Sequence, residues 1–142
     1  MTARTLRLFV YGTLQPQAGT AMGDWISARL VGIEPASAPG RLFAIGSEGG
    51  WFPALLPARG ACRLRGTLCE LRLKPGELGR LDRYEGREYR RVTAPVRTAS
   101  GRRGAAQLYL WRAPLPSGAP MIGGGNFLDW LRTGRRRPFS GT

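Results

Sequence analysis

The sequence predicts one α+β domain: a mixed, mostly antiparallel β-sheet or barrel with few short helices. Three observations lead there. Runs of strand length, either apolar throughout or alternating polar and apolar, recur from residues 6–11 to residues 107–112. Gly and Pro, 21 and 11 of the 142 residues, punctuate those runs. No long helical segments alternate with the strands, as a doubly wound parallel sheet would require. The length suits a single hydrophobic core and is short for two.

Residues 6–11 (LRLFVY), apolar or aromatic apart from Arg7, stop at Gly12, which reads as a buried strand. Gly12, Thr13 and Leu14 form the turn out of it. From Pro16 to about residue 30 a helix carrying Met22, Trp25 and Ile26 is expected, against the propensity of Gly19 and Gly23, with a second strand at 28–33. Gly and Pro are dense between 35 and 61, where 40–45 reads as a strand and Gly49-Gly50-Trp51-Phe52-Pro53 as a turn. Residues 63–73 (RLRGTLCELRL) alternate, offering Leu64, Leu68, Cys69, Leu71 and Leu73 to the core of a half-buried strand. Pro75 then opens a short helix with Glu77, Leu78, Leu81 and Asp82 that Gly86 ends.

Residues 89–98 and 107–112 read as two strands of an antiparallel hairpin, joined through Ser100-Gly101-Arg102-Arg103-Gly104. A Gly-rich stretch at 122–126 precedes the amphipathic fragment Phe127-Leu128-Asp129-Trp130-Leu131. The domain is placed at residues 1–132. Residues 133–142, composed of Arg, Pro, Gly, Ser, Thr and one Phe, read as a basic, poorly ordered tail.

The chain has no histidine. That removes Ser-His-Asp and Cys-His nucleophile systems, His-rich zinc sites and histidine general-base chemistry, and leaves proton transfer to Asp, Glu, Tyr, Lys or Cys. Cys62 and Cys69 match no zinc or redox spacing and read as buried thiols, so no metal is expected. No apolar run approaches the roughly 20 residues of a membrane span. The N-terminus enters a strand without a signal-peptide core, so the cytoplasm is the expected location. The formal charge of +13 comes from 22 basic residues, all Arg except Lys74, and only Arg135, Arg136 and Arg137 cluster. Such scatter predicts weak, salt-sensitive nucleic-acid contact carried by the tail, or simply a solvated tail.

Two stretches resemble a known family. Phe9-Val10-Tyr11-Gly12-Thr13-Leu14 is similar to a strand-to-loop signature Tyr-Gly-Thr/Ser-Leu. Leu81-Asp82-Arg83-Tyr84-Glu85-Gly86, with Tyr89 and Arg91, is similar to a Leu-Asp-x-x-Glu-Gly-x-x-Tyr-x-Arg segment. Both belong to the gamma-glutamylcyclotransferase-like family, in its AIG2-like or gamma-glutamylamine cyclotransferase branch. They stand about 70 residues apart and in that order. Weaker similarity runs through 40–57, Gln107-Leu108-Tyr109 and the Gly-rich segment before Trp130.

Each of these residues also has a reading of its own. A loop leaving a strand at Gly12 lets backbone N–H groups approach a carboxylate or an oxyanion, although on the residues alone an ordinary strand-ending turn is the commoner reading. Glu85, at the end of a short helix, is on the unfavourable side of the helix dipole, which hints at function, although a solvent-facing charge is as simple an account. The resemblance implies that Glu85 is the catalytic acid/base and that Tyr11, Gly12, Thr13, Leu14 and Tyr109 contact substrate. Tyr11 and Tyr109 are otherwise amphipathic core residues. Asp82 is expected to brace the turn, Glu88 to face solvent, and Arg91 either to brace the site or to lie on the outer face of the sheet.

The implied reaction is cyclisation of a small gamma-glutamyl amide to 5-oxoproline with release of an amine, without cofactor. The loop amides hold either the substrate's α-carboxylate or the developing oxyanion. The alternative is a non-catalytic small-ligand, nucleic-acid or protein binding module on the same fold.

Overall fold

A strand segment that is apolar on successive residues must be covered on both faces. In the computed structural model, which describes residues 4–58 and 62–139, the end of the first strand, β1 (Arg4–Val10), is covered in that way from Leu8 to Val10, while Arg4, Thr5 and Arg7 are exposed. Phe9, with Tyr11 just beyond the strand, enters one buried cluster with Leu64, Leu68 and Leu108, while Leu8 and Val10 enter a second with Cys69, Leu71 and Leu81. The expected alternation of residues 63–73 is what separates the clusters. On β5 (Arg63–Leu73), Leu64 and Leu68 join the first, and Cys69, Leu71 and Leu73 the second.

Around these clusters, β1, β5, β2 (Leu30–Pro39), β6 (Tyr89–Thr98) and β7 (Arg103–Trp111) close into a barrel in that order. Neighbours pair antiparallel except where Leu8 of β1 meets Gln107 of β7 in parallel and closes the barrel. The fold is therefore α+β, with a mostly antiparallel barrel and short helices. The expected 89–112 hairpin is present, Tyr89 pairing with Trp111 and Arg97 with Arg103. A separate two-stranded sheet, β3 (Arg41–Ser47) with β4 (Gly50–Leu56), packs beside the barrel. Cys69 is buried as expected, and burial pushes its thiol up to about 12; Cys62, also expected to be buried, is instead exposed, because it lies just ahead of the strand that carries Cys69 into the core. Among the described residues no helix is long and apolar enough to cross a membrane.

Three local expectations are corrected. The helix expected from Pro16 is split into a 3-10 turn at Pro16–Ala18 and α1 (Ala21–Ser27), because Gly19 turns left-handed at φ +74° and Thr20 starts a new helix, its Oγ1 accepting from Gly23 N at 3.0 Å. The turn expected at 49–53 is the start of β4; the reversal itself falls at Glu48 and Gly49. Pro53 is tolerated there because Trp51, two residues earlier, directs its N–H to the outer edge, and position 53 faces the same way, so no ladder bond with β3 is lost.

The partner on that outer edge is the C-terminal segment, whose composition predicts poor order. After α3 (Phe127–Thr133), Arg136 stacks on Trp130 with 3.8 Å to the ring centroid. Trp51 N then donates to Arg137 O at 2.8 Å, and Phe139 N donates to Trp51 O at 2.7 Å. Backbone pairing with an open strand edge orders a segment whose composition alone offers no core. Residues 140–142 of that expected tail lie outside the described residues.

Candidate active site

Helical spacing brings Glu85 to the site. In α2 (Glu77–Glu85) the fully buried Leu81 anchors the helix, and position 85, one turn on, returns to the same side. Gly86, at φ +92°, ends the helix there. The carboxyl lines a cavity of about 190 Å³ enclosed by residues 9–14, α2, β4 and the end of β7. No hydrogen bond to it is made among the described residues. Glu85 is half-buried by its accessible surface; desolvation of its carboxyl inside the cavity, and next the like charge of Asp82 one turn back, raise its pKa from 4.5 to about 8. The negative end of the helix dipole acts in the same direction.

Gly12, Thr13 and Leu14 line the same cavity. The carbonyl of Gly12 accepts from Gln15 N at 3.1 Å and Gln15 Nε2 at 3.3 Å, and that of Thr13 from Thr20 Oγ1 at 2.5 Å. Across a trans peptide the next N–H points the opposite way. The N–H groups of Gly12, Thr13 and Leu14 have no acceptor among the described residues, so two tied carbonyls leave a run of unspent donors in the cavity wall. Gly12 is also required by packing, since a Cβ there would lie 2.4 Å from Pro53 Cγ.

Tyr11 and Tyr109 complete the wall, and each spends its hydroxyl proton on the protein. Tyr11 donates to the carbonyl of Tyr109, and Tyr109 Oη donates to Asp82 Oδ1 at 2.6 Å. Arg91 clasps Asp82 through Nε at 3.0 Å and Nη2 at 3.3 Å and reaches Gln107 Oε1 at 2.6 Å. Asp82 and Arg91 thus brace β6, β7 and α2 against one another. Burial above all holds both tyrosines well above the usual phenol range, so they stay neutral. What they offer the cavity is ring surface and a hydroxyl acceptor.

All six residues singled out in the sequence, Tyr11, Gly12, Thr13, Leu14, Glu85 and Tyr109, therefore line one cavity. Glu88 is exposed, as expected, yet stands in the same lining. Several lining residues were not anticipated: Phe52, Pro53, Tyr84, Tyr89, Trp111 and Phe139. Tyr84 and Tyr89 flank Glu85 in its motif, a signal that was available. Phe52 and Pro53 lay in the stretch read as a turn. For Trp111 and Phe139 nothing local pointed to the cavity.

The fold and this cavity define a class: a small β-barrel protein with a cavity lined both by a carboxyl and by backbone amides that lack partners among the described residues. The chain belongs to the gamma-glutamyl cyclotransferase, AIG2-like, family, which it matches over residues 8–130. No curated protein matches it. Among solved structures it is similar to a protein of Arabidopsis thaliana known in solution, at 26% identity and a TM-score of 0.66, over 92% of this chain and 83% of that one. It is also similar to YkqA of Bacillus subtilis, at 20% identity and a TM-score of 0.69, covering 93% of this chain but only 43% of YkqA. A gamma-glutamyl cyclotransferase shares the fold at 16% identity and a TM-score of 0.56, over 83% of this chain and 70% of that one.

Proposed function

We propose that the protein is a cyclotransferase that converts a small gamma-glutamyl amide into 5-oxoproline and a free amine, with Glu85 as general acid/base. The observation that supports this most is the Glu85 carboxyl, with a pKa near 8 and no hydrogen-bond partner among the described residues, in one cavity with the free N–H groups of Gly12 to Leu14. A gamma-glutamyl amide brings its own nucleophile. Its α-amine attacks the γ-carbonyl carbon and closes a five-membered ring, so neither a serine nor a cysteine is needed.

Glu85 takes one proton from the attacking nitrogen. As the tetrahedral centre collapses, the bond from the γ-carbon to the leaving nitrogen breaks, and the same carboxyl returns that proton to it. A group with a pKa near the working pH can do both. Orientation of the intramolecular attack supplies roughly 7–11 kcal/mol of the barrier, and the neutral tyrosine wall and the Asp82–Arg91 brace hold the walls that impose it. The loop amides are suited to an anion, either the α-carboxylate or the oxyanion of the tetrahedral centre. This chemistry calls for neither metal nor organic cofactor.

The rival reading, a binding module that turns over nothing, favours a site filled by side chains; the open cavity supports the enzyme. The test is release of 5-oxoproline from a panel of gamma-glutamyl amides by the purified protein. No release from any of them, by protein whose folding is verified by circular dichroism, rejects the proposal.

A further inference from the structure

One half of the cavity has no part in the proton transfer just described. Tyr89, Trp111, Phe52 and Phe139 form a continuous line of rings, with centroids 5.1 Å apart from Tyr89 to Trp111, 5.9 Å from Trp111 to Phe52 and 5.5 Å from Phe52 to Phe139. All four line the cavity. Rings so arranged leave apolar and π surface facing an unfilled space, which favours an apolar or aromatic occupant.

The charge of the lining narrows the choice further. The chain has 22 basic and 9 acidic residues, yet among the described residues the cavity is lined by two acidic side chains, Glu85 and Glu88, and by no Arg or Lys. A leaving group that keeps a carboxylate, as an α-amino acid does, would find no cation to pair with and would stand near the Glu88 carboxylate, at a cost in desolvation. An amine without a carboxylate would not, and once released it gains a proton and is favoured beside Glu88.

Phe139 comes from outside the residues that match the family, 8–130, and reaches the cavity only because its backbone pairs with Trp51. Its ring lies over Gly49, where a Cβ would come within 3.0 Å of Phe139 Cε1. The pocket is thus completed by the C-terminal segment, beyond the residues that match the family.

We propose that the amine released is an arylalkylamine lacking a carboxylate, seated against Tyr89, Trp111 and Phe52, and that Phe139 is a specificity-determining residue for it. This rests on the cyclotransferase reading. The covalent step is unchanged: the γ-carbon–nitrogen bond to the arylalkylamine breaks and that nitrogen takes the proton from Glu85.

Three substrates separate the features: γ-glutamyl-2-phenylethylamide, γ-glutamyl-ethylamide, which lacks the ring, and γ-glutamyl-phenylalanine, which adds a carboxylate. The phenylethylamide is expected to exceed each of the others in kcat/KM by about tenfold or more. Phe139→Ala should cut its advantage over the ethylamide about fivefold, mainly through KM, and Phe139→Leu should cut it less. Melting curves report whether either variant is folded. An ethylamide or phenylalanine derivative cyclised as well as the phenylethylamide overturns the inference and leaves the cyclotransferase reading standing, and so does a preference untouched in both Phe139 variants. If none of the three is cyclised, binding of 2-phenylethylamine, ethylamine and phenylalanine by Trp fluorescence decides the subsite by itself, and absence of preference for 2-phenylethylamine overturns it.

Discussion

The cavity around Glu85 and the groove that begins one residue beyond it along the chain, at Gln15, differ in nearly every physical respect. The cavity, about 190 Å³, is lined largely by aromatic side chains and, among the described residues, by two acidic side chains and no basic one. The groove, about 790 Å³, is open and is lined by Arg65, Arg97, Arg132 and Arg136, with Asp129 already paired to Arg132. Its neutral polar groups satisfy one another: Thr67 Oγ1 donates to Gln15 Oε1 at 3.0 Å, and Gln17 Nε2 bridges to both at 3.2 Å. In the cavity, by contrast, the carboxyl and the loop N–H groups lack protein partners among the described residues. Unspent polar groups in a desolvated space mark the place where a ligand gains most. The +13 charge of the chain therefore belongs to its shell and says little about the candidate site.

The comparison breaks most directly at Glu85. Glu85→Gln keeps the shape of the side chain and removes its basicity, and is expected to lower turnover by about 100-fold or more while substrate binding, measured separately by calorimetry, is retained. A variant keeping more than a tenth of the wild-type rate would remove Glu85 from the role of acid/base. Gly12→Ala should come next. With a Cβ 2.4 Å from Pro53 Cγ, either the loop or β4 must move, at about 1–3 kcal/mol by thermal or urea unfolding. Turnover should fall along with stability, since the displaced segment holds the free amides.

The raised pKa of Glu85 gives two curves that sharpen the same contrast. If the ionised form is the base, kcat/KM should rise with pH through an apparent pKa near 8. Stability has the opposite slope. The folded-state pKa lies above the ordinary value of 4.5, so the native state binds more protons between 4.5 and 8 and loses stability as pH rises through that window. Below about pH 4.5 that penalty is absent; above 8 it is complete. The melting temperature of Glu85→Gln, relative to wild type, should accordingly climb across the window, and a flat difference would contradict the raised pKa of Glu85.

The smallest effect is expected in the groove. Arg65→Ala with Arg97→Ala should leave turnover within about twofold, while weakening whatever salt-sensitive binding to a polyanion such as heparin the wild type shows. A tenfold loss of turnover would mean that the two regions are not independent. Removing the C-terminal segment is a poorer probe of charge, because it also takes Phe139 from the cavity wall.

Much of this molecule follows from local pattern. The unbroken apolar run before Gly12, the alternation of residues 63–73, the helix from Glu77 to Gly86 and the hairpin after Tyr89 are each set by side-chain periodicity and by Gly and Pro, whose conformational demands are local. The absence of histidine, likewise, is chemistry that no fold can alter. Other features depend on partners remote in sequence. Pro53 lies within a strand because its missing N–H faces an edge used by Arg137 and Phe139, and that pairing also orders a segment whose own composition argues for disorder. Trp111 and Phe139 join Glu85 in one cavity only once the barrel has closed and the C-terminal segment has crossed β4. The pKa of Glu85 is of the same kind: the sequence by itself determined which carboxyl ends the helix, but desolvation depends on everything packed around it, and that only the tertiary structure decided.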